Sequence, residues 1–126
     1  MLPWDLEDWI TDVGADLLDR RILDPQSLTP IEALVYEVWL LDTEARNGGV
    51  SQYFCNRGIT QWQRCVAKAA GLRSFQPFVE AVENIIQGNP DPYQAFRAGG
   101  NDAEDIWFKY QKQVVTELKQ AYASAP

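Results

Sequence analysis

The sequence predicts an all-α fold: a single-domain bundle of about five to seven helices around a central apolar helix at about residues 30–46. Apolar residues recur at spacings of three and four along most of the chain, and no stretch alternates in the manner of a β-strand. The 126 residues, 46% of them hydrophobic, suit one core and therefore one domain spanning residues 1–126.

The central helix is predicted to begin at a capping box and to end at a glycine pair. The Thr29 hydroxyl can accept from an amide of the first turn while Glu32 reaches back, and Pro30 fits the first position. Apolar side chains then cover most of the circumference, so other helices must surround this one. Gly48 and Gly49 tolerate left-handed backbone geometry and are predicted to end it.

The other helices follow from the same spacing and from capping and turn residues. The predicted segments are a first helix after Pro3, a short helix over residues 50–56, a helix capped by Thr60 and ended by Gly71, a helix over residues 75–87 capped by Ser74, a short helix over residues 93–98, and a last helix from Asn101 or Asp102 to about Tyr122. No internal repeat interrupts this order.

Charge is segregated along the chain, whose net charge is −7. Residues 1–50 hold eleven acids and three bases, residues 51–79 hold four bases and no acid, and residues 80–126 hold seven acids and four bases. This balance disfavours nucleic acid as a direct ligand and favours either a basic partner protein or a complementary contact between acidic and basic parts of two copies of the chain.

The first helix carries a stripe of acids that is the candidate partner-binding surface. Its aspartates are separated by three, four, four and three residues and therefore share one face of the helix. With a neighbouring glutamate, the candidate residues are Asp5, Glu7, Asp8, Asp12, Asp16 and Asp19. Each like-charge pair at this spacing opposes the helix by about 0.2–0.5 kcal/mol, so tertiary packing must hold it. The alternative is a solvated face that only aids solubility.

No catalytic residue, metal site or cofactor is expected. The chain has no His, the commonest general base and metal ligand, and it has no phosphate-cradling glycine loop. Cys55 and Cys65 lie outside any CxxC pattern and are predicted to stay reduced. The alternative from another class is a small enzyme with a carboxylate-containing polar pocket near Glu44.

The sequence also predicts no association with a membrane. The longest uncharged apolar run, residues 38–41, is far too short to cross a bilayer. The N-terminus is acidic rather than basic, unlike that of a signal peptide. A cytoplasmic location is therefore expected.

The segment from Glu44 to Asn56 resembles the signature of a family of small acidic bacterial proteins whose named member is a DNA mimic. That signature joins a helix containing Tyr and Trp to an acid, Asn-Gly-Gly, and Gln-aromatic-aromatic-x-Asn. Val50 stands where an aromatic residue is usual, and Arg46 where a second Asn is common. The matching residues, expected to be mainly structural, are Tyr36, Trp39, Glu44, Asn47, Gly48, Gly49, Gln52, Tyr53, Phe54 and Asn56.

The resemblance implies a helical homodimer whose acidic surface imitates the phosphates of DNA and occupies a DNA-binding protein. Five aspartates on the first helix give roughly one charge per 4–5 Å, against one per 3.4 Å along one DNA strand. Glu7 and acids of the central helix, or a second subunit, are expected to supply the rest. The alternative function is that of an immunity or antitoxin protein, which would use the same carboxylates against a basic toxin.

Overall fold

The computed structural model describes residues 2–98 and 106–125, and it confirms the all-α fold. Every regular element in these ranges is helical. The elements are α1 (Trp4–Leu23), α2 (Pro30–Lys68), a 3-10 turn (Arg73–Phe75), α3 (Gln76–Ile86), α4 (Pro92–Ala98) and α5 (Ile106–Ser124). The predicted start of the last helix, at Asn101 or Asp102, lies outside the described residues.

The capping box at the start of α2 is confirmed. The Thr29 hydroxyl accepts from the Glu32 amide at 3.3 Å, and the Glu32 carboxylate accepts from the Thr29 amide at 2.9 Å. Arg20 on α1 also donates to the Glu32 carboxylate. The hydrogen bonds from Arg20 and from the Thr29 amide lower the pKa of this carboxyl group. One side chain therefore both caps α2 and ties its first turn to α1.

Two glycine positions divide α2 into three segments. Gly48 and Gly49 are non-helical, as predicted, and end the first segment after residue 47. Gly58, with φ of 79°, separates the second segment from the third. The prediction that Thr60 caps the third segment is wrong, because the backbone is already helical at residue 59. The bend at Gly58 starts this segment instead.

Aromatic side chains from the last segment of α2, the 3-10 turn, α3 and α5 form the centre of the core. The ring of Trp62 makes an edge contact with Phe78, and Phe78 lies 4.9 Å from Trp107 between ring centroids. Phe75 contacts all three rings, and each of the four residues is at most 1% exposed. Such pairs contribute about 0.5–1.5 kcal/mol each beyond their burial.

Helix α1 packs tightly on α2 because Gly14 has no side chain. A Cβ atom at this position would lie 2.1 Å from the Trp39 ring. Leu6, Ile10 and Leu17 are buried on the same side of α1. This packing leaves the opposite side of α1, which carries the aspartates, exposed to solvent.

The prediction that Ser74 caps α3 is wrong. Ser74 lies in the 3-10 turn, and its amide and hydroxyl both donate to Glu117 on α5, at 2.7 and 2.6 Å. The Arg73 amide donates to the same carboxylate at 3.0 Å. Burial alone would raise the pKa of Glu117, but these hydrogen bonds lower it on balance. A carboxylate from α5 therefore holds the start of the 3-10 turn and engages the Ser74 hydroxyl that was predicted to cap α3.

Gly58→Ala is expected to lower the free energy of unfolding by about 1–3 kcal/mol, because φ of 79° strains any residue with a Cβ atom. No heavy atom lies within 4 Å of the added Cβ, so the cost is conformational. Gly71→Ala is the matched control, with equally open surroundings but without the positive φ, and it should leave stability unchanged or raise it by up to about 1 kcal/mol. Urea unfolding followed by Trp fluorescence measures both; equal midpoints would contradict this account.

The stabilisation that Glu117 provides is expected to disappear at low pH. Because its pKa is lower in the folded than in the unfolded state, the contribution is complete above the unfolded pKa and is lost as the pH falls through the folded pKa. The difference in unfolding free energy between the natural protein and Glu117→Gln should therefore shrink between about pH 7 and about pH 3. The exposed Glu80→Gln provides the control, and a difference for Glu117→Gln that is constant over this range would contradict the assignment.

Candidate functional site

Five aspartates form one continuous exposed surface on α1, which we call the aspartate face. It consists of Asp5, Asp8, Asp12, Asp16 and Asp19, all of them exposed. At 100° and 1.5 Å per residue, they lie within an arc of about 80° and span about 21 Å of the helix. The face is narrow, straight and uniformly negative.

No aspartate of this face forms an ion pair within the ranges that the structure describes; Arg20, which pairs with Glu32, interacts with Asp16 through charge only. The ion pairs found there involve other acids, which are Glu7, Glu32, Asp42 and Glu44. Repulsion within α1 is therefore opposed by packing of its rear side, where Ile10 and Leu17 are completely buried. The charge of the aspartate face is left available to a partner.

Glu7 does not lie on this surface. It is about 100° away from Asp8 around the helix axis, and its carboxylate is 3.2 Å from the Arg46 guanidinium. Arg46 also donates to the Thr11 hydroxyl at 3.4 Å. Glu7 therefore contributes to the contact between α1 and α2.

The expectation that acids of the central helix add charge to this surface is wrong. Glu32 pairs with Arg20, and Glu44 is held by polar side chains of the next segment. Glu37 and Asp42 are buried, with 6% and 0% of their surface exposed. All four acids are engaged in the interior or in contacts between helices, so none of them extends the α1 row.

Asp42 is the centre of a buried polar network that the sequence did not predict. Its Oδ1 accepts from Trp107 Nε1 at 3.0 Å and from Gln111 Nε2 at 2.7 Å, both on α5. Its Oδ2 lies 2.9 Å from Arg46 Nε. Since Arg46 also contacts Glu7 on α1, the network joins three helices. The available signal was an acid directly following Leu41 on the apolar side of a central helix.

The polar residues of the signature brace the glycine turn. Glu44, before the turn, accepts from Gln52 at 3.4 Å and from Asn56 at 2.6 Å, both after it. A Cβ atom on Gly48 would lie 2.0 Å from the Gln52 amide oxygen. Gln52 and Asn56 donate to Glu44 because the turn brings all three residues together.

The aromatic residues of the signature belong to the core. Tyr36, Tyr53 and Phe54 are at most 6% exposed, and Trp39 packs partly buried beside Tyr36 with ring centroids 5.9 Å apart. Asn47 is exposed at the end of the first segment of α2. These aromatic residues therefore contribute to the packing of the core.

A cleft of about 380 Å³ lies beside the braced turn. Its lining residues are Gly48, Ser51, Gln52, Cys55, Asn56, Tyr93 and Arg97. Glu44 contributes to this cleft only by holding Gln52 and Asn56, so no carboxylate is among the described lining residues. Both cysteines are free, Cys55 exposed here and Cys65 buried in the core, where burial raises the pKa of its thiol.

The sequence of the chain matches a known protein family over most of its length. Residues 26–125 match the sequence model of the DMP19-like proteins. The chain belongs to the DMP19-like protein family. The match covers α2 to α5 and the whole signature, but it begins after α1 and so does not include the aspartate face. No curated protein and no solved structure matches the chain significantly.

None of the helices described for this DMP19-like protein is both long and apolar enough to cross a bilayer. The longest, α2, is bent at two glycine positions. It also carries charged side chains in each of its three segments.

Asp42→Ala is expected to lower the free energy of unfolding by about 2–4 kcal/mol, because it leaves the buried donors of Trp107 and Gln111 without their acceptor and removes the ion pair with Arg46. Asp12→Ala removes the same group from an exposed position and should change stability by no more than about 0.5 kcal/mol. Chemical denaturation compares the two. A loss of less than about 1 kcal/mol for Asp42→Ala would show that the network is not needed.

Proposed function

We propose that this protein binds a basic partner protein in the cytoplasm through the aspartate face of α1, as a mimic of DNA. The observation that carries the proposal is the row of five exposed aspartates, about 21 Å long, none of which forms an ion pair among the described residues. Family membership is compatible with this role, since the family is that of a DNA mimic.

Electrostatics favours a protein with a positive surface as the partner. A uniformly negative row steers a basic surface toward it and accelerates encounter at low ionic strength. The same surface repels nucleic acid, so the protein would compete with DNA rather than bind it.

The charge density suggests how a mimic would be completed. One α1 row carries roughly one charge per 4–5 Å, less than the one per 3.4 Å of a single DNA strand. Acids of α2 are not available to increase it, because all four are engaged elsewhere. We propose that a second copy of the chain supplies a second row, in line with the homodimer that the family resemblance implies.

The first experiment is an affinity pull-down from the native host, with and without competing duplex DNA. The partner should be a basic DNA-binding protein, its capture should decrease when DNA is added, and its affinity should fall steeply with salt. Capture that DNA does not reduce would exclude mimicry and favour the antitoxin alternative. Failure to retain any basic protein at low salt would count against the whole proposal.

The second experiment locates the contact. Asp12→Asn combined with Asp16→Asn should weaken binding of the captured partner by at least about tenfold, because close charge pairs contribute 1.5 kcal/mol or more. The matched control is Asp24→Asn with Glu80→Gln, which removes the same charge from exposed positions off the face. Calorimetry measures both. Equal losses of affinity in the two double variants would mean that only net charge affects binding. Unchanged affinity of the Asp12→Asn, Asp16→Asn variant would exclude the aspartate face as the contact.

A further inference from the structure

A second cleft, of about 430 Å³, has the opposite charge to the rest of the molecule. It lies between the end of α1, the loop that follows, and the first and last segments of α2. We call it the basic cleft, after its charged lining residues Arg21, Arg64 and Lys68, with Glu37 the only acid. In a chain with a net charge of −7, this lining carries a charge of +2.

The cations come from separate parts of the fold and converge on one space. Arg21 lies in the last turn of α1, whereas Arg64 and Lys68 are four residues apart on one face of α2. The helix dipole favours a cation in the last turn of a helix, which accounts for Arg21 and Lys68. It does not account for Arg64, which lies one turn earlier in α2, or for the convergence of the three side chains on one cleft. Among the described residues, none of the three forms an ion pair.

One of these cations is held in position by an aromatic ring. The guanidinium carbon of Arg21 lies 5.1 Å from the centroid of Tyr36, which also lines the cleft. A cation over the face of an aromatic ring is attracted by about 0.5–1 kcal/mol at such partly exposed sites. The remaining donors of the guanidinium are left for a ligand.

Glu37 places a carboxyl group in the same cleft. It is 6% exposed, and one of its oxygens accepts from the Gln61 amide. Burial raises the pKa of this carboxyl group, an effect that nearby Lys68, Arg64 and Arg21 oppose. No ion pair joins Glu37 to these cations in the described structure, so the second oxygen is left to accept from a ligand.

We propose that the basic cleft binds a small organic anion that also carries an N–H or O–H donor. Its phosphate or carboxylate contacts Arg21, Arg64 and Lys68, and its donor contacts Glu37. The volume lies in the range of about 300–1,000 Å³ that small-molecule sites occupy. The site is independent of the aspartate face, since Arg21 and Asp12 are about 180° apart around α1.

The probes for a first test are O-phosphoserine, glutamate, inorganic phosphate and serine, added to the full chain and followed by two-dimensional NMR. O-phosphoserine or glutamate should bind saturably with a Kd of about 1 mM or less. The probe with the lower Kd shows whether the cleft prefers a phosphate or a carboxylate. Serine, whose net charge is zero, should not bind. The absence of saturable shifts at residues 21, 37, 64 and 68 with any probe at about 10 mM would overturn the proposal.

Two sets of variants test the assignment of residues. Arg64→Gln with Lys68→Gln should raise the Kd of the best probe at least about tenfold, since charged hydrogen bonds contribute 1.5 kcal/mol or more. Lys109→Gln with Lys112→Gln makes the same charge change at exposed positions on α5 and should leave the Kd within about twofold. An equal rise in the Kd of both double variants would mean that only net charge affects binding and would overturn the proposal.

Glu37→Gln tests the second contact. It should weaken O-phosphoserine, which has an ammonium donor, more than inorganic phosphate, because the ammonium group loses a charged acceptor. Equal effects on the two probes would overturn the role of Glu37. Because these measurements need no partner protein, their failure leaves the proposed function of the aspartate face untouched.

Discussion

The buried carboxylate of Asp42 is the constraint on which the arrangement of the helices depends. It accepts hydrogen bonds from Trp107 and Gln111 on α5 and lies against Arg46, which in turn contacts Glu7 on α1. A buried charge is tolerated only when its partners are correctly placed, so α1, α2 and α5 must keep this relative position. Apolar packing alone allows helices to slide, whereas this network permits one register.

The braced glycine turn provides the second constraint. Glu44 holds Gln52 and Asn56 across Gly48 and Gly49, so the second segment of α2 leaves the first in one direction. That direction places Tyr53 and Phe54 in the core and leaves Cys55 and Asn56 at the surface. The contacts of these signature residues therefore account for the direction of the turn and for part of the core.

The molecule presents two surfaces of opposite charge, and each depends on how interior acids are used. The acids of α2 that might have extended the aspartate face are engaged with Arg20, Gln61, Arg46 and Asn56. None of these α2 acids therefore extends the α1 row. On the opposite side of α1, three cations that form no ion pair among the described residues line the basic cleft together with Glu37. The acids and bases that are segregated along the chain are therefore also separated on the surface of the folded molecule.

The sequence by itself determined the helical class, the ends of α2's first segment, the exposed aspartate row and the structural role of the signature aromatics. These follow from periodicity, capping and glycine geometry, which act within a few residues. Only the tertiary structure decided that Glu117 binds Ser74, that Asp42 is buried, and that Arg21 meets Arg64 and Lys68 at one cleft. Those contacts join residues far apart in the chain, and no local spacing encodes which distant partner will satisfy a polar group.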